Sequence, residues 1–182
     1  MSSLSSSLRP ARLADAGAFA SHLVRHLAES GREGSPVFAP SPTPSHWEIR
    51  EACELRWARP LSEPLWGRAW LLLRDEGVVV GHVELRGGRI PAELHRATLG
   101  MGIERAHVGQ GHGTRLLAEA IRWARSEAGL AWLDLGVFAG NEPARRLYER
   151  AGFATLGPRV DAFRLPDGTV ITDVLMALDL RN

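Results

Sequence analysis

Gly109, Gly111 and Gly113 alternate with Gln110 and His112. The run follows an apolar, β-prone stretch that ends near Ile103. It precedes a helical pattern from Thr114 to Glu127, with Leu117, Ile121, Ala124 and Ala128 on one stripe. A strand, a glycine loop and a helix start together make a site for an anion. The first amides of a helix have no internal partner, and the helix dipole places partial positive charge there. Glycine lets the backbone approach a phosphate closely and turn through conformations closed to other residues.

Several loops share this chemistry. A P-loop requires Gly-Lys-Ser/Thr after the turn, and the chain contains no lysine; its 22 basic residues are all arginine. A dinucleotide fingerprint requires Gly-x-Gly-x-x-Gly. Here the spacing is Gly-x-Gly-x-Gly, and Leu116 and Leu117 follow where the third glycine belongs, although Asp134 could imitate the ribose-binding acid. A plain loop before an amphipathic helix remains open, but three alternate glycines carry an entropy cost it does not need. The third anion reading is a loop for the pyrophosphate of coenzyme A.

The elements that position this loop follow from pattern. Residues 1–7 are serine-rich and expected to fray. Leu8 to Leu13 reads as a short edge strand, and Asp15 as the N-cap of a helix through Ala28. Residues 31–45 are loop by composition, and loops of that length are often functional. Ser45 with Glu48 forms a capping box for a second helix that stops before Pro60. Gly67 to Arg74, Val78 to Leu85 and Leu94 to Ile103 read as an antiparallel meander, with a turn at Asp75-Glu-Gly77. Leu130 to Phe138 is a largely apolar strand, expected to be central and parallel to the one before the glycine loop. Asn141 caps a helix with Pro143 in its first turn and Glu142 paired to Arg146. Its apolar stripe holds Ala144, Leu147, Tyr148 and Ala151, and Gly152 closes it. By position alone Tyr148, the only tyrosine, reads as a core aromatic with a hydrogen-bonded hydroxyl. Two last strands, Phe153 to Phe163 and Val170 to Leu180, flank a turn at Pro166-Asp-Gly168.

Two separated segments together resemble a known family. The glycine loop with its helix resembles the Gln/Arg-x-x-Gly-x-Gly/Ala signature of the GCN5-related N-acetyltransferases. Asn141-Glu-Pro-Ala-Arg-Arg-Leu-Tyr148-Glu-Arg-Ala-Gly-Phe153 resembles the family's second motif, Asn-x-x-Ala-x-x-x-Tyr-x-x-x-Gly-Phe. The resemblance covers roughly residues 95–155. The run His95-x-Ala97-x-Leu99-Gly100, with Asp167-Gly168, Asp173 and Met176, is similar to members that acetylate free amino acids or protein N-termini. It implies a single α/β domain over residues 8–182, with a mixed, mainly antiparallel sheet flanked by helices and splayed after the strand ending near Ile103. It implies acetyl-CoA as co-substrate and N-acetylation of a primary amine of a small molecule such as an amino acid. A protein N-terminal acetyltransferase and a non-catalytic acyl-CoA-binding module are the alternatives.

Site roles carry over by position. The pantetheine arm would lie beside the strand ending at Ile103, and the pyrophosphate on the amides from Val108 through Gly109, Gly111 and Gly113 to Thr114. Asn141 would contact the cofactor arm, and Tyr148 would protonate the departing thiolate. An amine attacks a thioester, an oxyanion forms and a thiolate leaves, so backbone donors near Ile103 and a phenol near sulfur suit the chemistry. Two positions depart from the pattern. Val108 stands where the family has Arg or Gln, and His112 replaces an apolar residue and reads as a solvated loop histidine. The general base is open: Glu84, Glu104 and His95 are candidates by strand position.

Composition excludes other classes. The net charge of +1 gives no reason to expect nucleic acid or a membrane surface as partner. The single Cys53 rules out an intrachain disulfide and a cysteine metal cluster, and it reads as a core residue. The histidines show no metal-ligand spacing, so no metal is expected. Without an apolar run of about 18 residues or a signal pattern, a cytoplasmic enzyme is expected. Its expected partner is a small-molecule amine acceptor, and a homodimer is compatible with the sequence.

Overall fold

The computed structural model describes residues 6–39, 42–74 and 77–181. Seven strands form one sheet in the order β1-β2-β3-β4-β5-β7-β6. In chain order the elements are β1 (Ser7–Pro10), α1 (Ala16–Ala28), α2 (His46–Ala58), β2 (Gly67–Leu73), β3 (Val79–Gly87), β4 (Arg96–Ile103), α3 (His112–Ser126), β5 (Trp132–Phe138), α4 (Glu142–Arg150), β6 (Ala154–Arg164) and β7 (Val170–Asp179). Every pairing is antiparallel except β4 with β5. This is the expected α/β architecture, with the meander and the central parallel strand in place.

Two apolar clusters sandwich the sheet. On one face Leu116, Leu117 and Ala120 of α3 and Tyr148 of α4 pack with Leu72, Val83, Leu85, Leu99, Leu133 and Leu135. On the other, Phe19 and Ala20 of α1 and Ile49 and Cys53 of α2 pack with Leu71 and Leu73. Cys53 is fully buried, and burial pushes its thiol up to about 12. That fits a core residue rather than a nucleophile.

Local signals are met at several element ends. Ser45 and Glu48 form the capping box of α2, and Asn141 Oδ1 accepts from the Ala144 amide at the start of α4. Others differ. β1 begins at Ser7, which pairs with Leu73 inside the segment expected to fray, and it stops at Pro10. Asp15 precedes α1, but its carboxylate does not cap it. The carboxylate accepts from Arg9 at 2.7 and 2.8 Å and from the Arg12 amide at 2.8 Å, because a single helical turn over Leu13–Asp15 intervenes. Asp75 and Glu76 of the expected turn, and Met1 to Ser5, lie outside the described residues.

The functional consequence of the topology lies between β4 and β5. They pair only over Arg96–Trp132, Ala97–Leu133 and Thr98–Asp134. Beyond Thr98, β4 stays paired with β3 as far as Ile103, while β5 runs on beside β7 to Phe138. The sheet therefore opens into a cleft along Leu99 to Ile103, whose backbone edge has no strand on that side.

Candidate active site

The cleft leads to the glycine loop. After β4 a helical turn at Arg105–His107 brings the chain to Gly109 (φ +75°) and Gly111 (φ +78°), both left-handed. Gly111 is the N-cap of α3. The first backbone bond into this helix runs from the Arg115 amide to Gly111 O at 3.3 Å, so the preceding amides have no intrahelical carbonyl. A β-carbon on Gly113 would lie 3.0 Å from Leu147 Cδ2, 3.7 Å from Ile103 Cδ1 and 3.8 Å from Met101 Cε. One glycine thus brings together the start of α3, the end of β4 and the residue next to Tyr148 on α4.

His112 corrects its sequence reading. It is the first residue of α3, only 7% exposed, and both ring nitrogens are buried without a partner among the described residues. Burial, with Arg115, His107 and Arg74 nearby, pushes its pKa down. The helix starts two residues earlier than its apolar periodicity indicates, so this side chain belongs to the helix and folds inward. Val108 is 55% exposed and leaves the loop edge to backbone donors. Thr114 and Gly109 are exposed, and Ile103 and Asn141 are half-buried. Unpaired amides, an orphaned imidazole and an open strand edge suit a long anionic thioester cofactor.

Tyr148 is buried and its ring meets Phe153 at 5.8 Å. No hydrogen bond from its hydroxyl reaches another described residue, against the expectation of a satisfied core tyrosine. Burial pushes its pKa up, so the phenol stays protonated and able to donate.

Register assigns the opposite face of the cleft. Thr98 pairs with Asp134, and Arg96 donates to Asp134 at 2.8 and 2.5 Å. Asp134 is thereby committed to an arginine rather than free for a ribose. Two residues further on, Gly100 and Gly136 stand on that same face on either side of the opening. Glu84 lies opposite Gly100. Asp173 lies opposite Phe138, and its carboxylate leans over Gly136, 2.6 Å from where a β-carbon would sit. Both carboxylates are buried. Glu84 accepts from Arg56 at 3.2 Å, with Arg86 at 3.8 Å. Asp173 accepts from Arg159 at 3.2 Å, and burial pushes its carboxyl up despite that arginine. Phe138 and Phe163 close the β6 side at 5.2 Å.

The remaining base candidates fall elsewhere. His95 precedes β4 at the closed end, exposed, with its carbonyl accepting from Ala131 at 2.9 Å; it is remote from the cleft. Glu104 turns toward α1, where it accepts from His22 Nδ1 at 2.7 Å and from Arg25 at 2.8 Å. His22 Nε2 in turn meets His82 Nδ1 at 2.9 Å. Sequence reading missed His22, His82 and Asp173 as site residues. Only Asp173 carried a signal, as part of the motif-like ending.

The Acetyltransferase (GNAT) family profile matches residues 38–153. No curated protein matches the sequence. Among solved structures, a GNAT-family acetyltransferase from Streptococcus pneumoniae is 22% identical, with a TM-score of 0.78 over 96% of this chain and 99% of that one. YncA from Salmonella typhimurium, solved with its cofactor acetyl-CoA, is 19% identical, with a TM-score of 0.80 over 98% and 95%. Variant forms of the spermidine/spermine N-acetyltransferase SpeG from Vibrio cholerae are 19% identical, with a TM-score of 0.71 over 96% and 94%. At these identities the likeness establishes a shared fold.

Proposed function

Since the chain belongs to the GNAT acetyltransferase family, we propose that it moves the acetyl group of acetyl-CoA onto the primary amine of a small molecule, with an amino acid as the best-fitting class. The observation that carries this reading is the opening itself: Gly100 and Gly136 stand on one face of it, with Arg86 beside the first and the buried Asp173 carboxylate over the second. The glycines leave room where side chains would block the opening. The Asp173 carboxylate suits an ammonium group, and Arg86 Nη2, 3.5 Å from a β-carbon built on Gly100, suits an acceptor carboxylate. SpeG is named for spermidine and spermine, which are also small amines.

In this reading the amides of Val108 to Thr114 hold the pyrophosphate, with His112 beside them. Ile103 and its neighbours on the open edge of β4 pair with the pantetheine arm, and Asn141 contacts it from the start of α4. Backbone donors of β4 stabilise the oxyanion, and Tyr148 gives its proton to the departing thiolate. Loop residues 31–39 and 42–45, with the β6–β7 hairpin, border the acceptor.

Thermal unfolding with and without acetyl-CoA tests the cofactor. A ligand at a hundred times its Kd adds about 2.7 kcal/mol, or about 5–10 °C for a chain of this size. Thiol release across a panel of amines then tests the transfer. A shift with NAD instead of acetyl-CoA, or thiol release with no amine in the panel, would overturn the reading.

A further inference from the structure

His22, His82 and Glu104 form a hydrogen-bonded chain through the α1 side of the sheet. Glu104 is ionised: burial pushes its carboxyl up, but hydrogen bonds from His22 and Arg25 outweigh this and hold it at about 2. A carboxylate only accepts, so His22 Nδ1 carries the proton in the 2.7 Å contact. With His22 in that tautomer, the lone pair on its Nε2 accepts from His82 Nδ1–H at 2.9 Å. Two hydrogen bonds thus fix the tautomer of His82 and leave its Nε2 with a lone pair.

The ring itself stands beside the open part of β4. His82 lies opposite Gly102 on β4, beyond the last β4–β5 pair at Thr98. Its Cε1, adjacent to Nε2, is 3.1 Å from where a β-carbon on Gly102 would be. The His26 ring lies nearer still, its Nε2 2.3 Å from that position, so the two imidazoles share the space over Gly102. His22 is 0% exposed, whereas His82 keeps 6%, so the accessible end of the chain is His82. Glu84, the other candidate nearby, is already bound to Arg56.

Resting on the N-acetyltransferase reading, we propose that His82 is the general base of the transfer, with His22 and Glu104 as positioning residues that fix its tautomer and share the proton it takes up. The amine lone pair forms the C–N bond to the thioester carbon, and the carbonyl electron pair moves to oxygen. The nitrogen becomes strongly acidic at that point and gives its proton to His82 Nε2. The Nδ1 proton of His82 passes to His22 Nε2, which places the positive charge beside Glu104. The oxyanion collapses, the C–S bond breaks with its electron pair on sulfur, and the thiolate takes a proton from Tyr148. Solvent then reprotonates Tyr148 and receives the proton held on the histidines, which balances amine plus thioester against amide plus thiol.

The groups facing His82 are His22 and His26 on α1 and Arg86 on its own strand, with Glu104, Arg25 and Glu29 one contact further out. Burial first, and then the proximity of His22, His26 and Arg86, hold its pKa well down, so the ring is neutral at neutral pH.

His82→Asn tests the assignment, because an asparagine amide nitrogen takes the place of Nδ1 and still donates to His22 while nothing replaces Nε2. The expected result is a fall in kcat/KM of about 10²-fold, with a lower Tm from the ring lost against Phe19 but unchanged acetyl-CoA affinity. The deficit should persist as pH rises past the acceptor's own pKa, because the proton His82 takes is the one the nitrogen sheds after attack. Turnover equal to wild type at all pH overturns the proposal. Should H82N lose its fold, Glu104→Gln serves: it keeps an acceptor for His22 but removes the charge. Lower kcat and an acidic limb of kcat/KM moved to lower pH are expected, and an unmoved limb overturns the relay. Wild type that releases no thiol with any amine overturns the parent acetyltransferase reading, and this one with it; an active wild type matched by H82N overturns only this one.

Discussion

Gly136 on β5 and the carboxylate of Asp173 on β7 occupy space that only a glycine permits. A β-carbon at Gly136 would lie 2.6 Å from Oδ2, 2.9 Å from Oδ1 and 3.1 Å from Cγ of Asp173. The carboxylate is 5% exposed and held by Arg159, so it cannot yield without leaving its pocket. Gly136→Ala is therefore expected to cost about 1–3 kcal/mol by overpacking, read as a lower Tm. It should also raise the KM for the amine while leaving acetyl-CoA affinity unchanged. An unaltered amine KM in a folded variant would separate Asp173 from the acceptor.

Tyr148→Phe tests the acid. The substitution keeps the ring against Phe153 and removes only a hydroxyl that bonds to no described residue, so stability should hold. Turnover is expected to fall by about 10²-fold or more while acetyl-CoA affinity by calorimetry stays the same. Full turnover would remove the phenol from the chemistry.

Gly111 tests the anion loop. Its φ of +78° is disfavoured for other residues, yet a β-carbon there would meet nothing within 4 Å. Gly111→Val should therefore cost about 1–2 kcal/mol of backbone strain, with no packing clash to add. The larger effect belongs to binding, because a side chain would hold the phosphates away from the amides. Loss of measurable acetyl-CoA affinity with a modest drop in Tm is expected. Retained affinity would place the pyrophosphate elsewhere.

These three tests follow what the sequence made legible and what it did not. The glycine loop, the Asn141 cap and the Ser45–Glu48 box are local devices, with partners a few residues apart, so spacing alone reveals them. The chain from His82 through His22 to Glu104 joins residues 60 and 82 positions apart. No periodicity links them, and each histidine separately reads as an isolated polar residue. From sequence His112 looks solvated because its neighbours are glycines; the helix start that buries it packs Gly113 against Leu147 and β4. Asp15 has the composition of a cap, but Arg9 offers it a two-point ion pair, which outcompetes one backbone amide.

The same histidine cluster sets the acid limit of the fold. His26 stacks on Phe38 at 4.5 Å. Burial and the neighbouring His22 push its pKa from 6.5 down to about 4, against a smaller opposing effect of Glu104. Between those values the unfolded chain binds a proton that the folded chain does not, so stability falls as pH drops from about 6.5 to about 4. Glu104 acts in the next window. Its folded pKa of about 2 lies below the ordinary 4.5, so its contribution is present above 4.5 and lost as pH falls toward 2. Tm measured against pH should therefore decline in two stages. His26→Gln keeps a nitrogen near the Nε2 position but does not titrate. It should start lower at neutral pH, having lost the stack on Phe38, yet show a shallower slope through the first stage and the wild-type slope through the second. An unchanged first-stage slope in H26Q would assign that stage to another group, with buried His82 the next to examine.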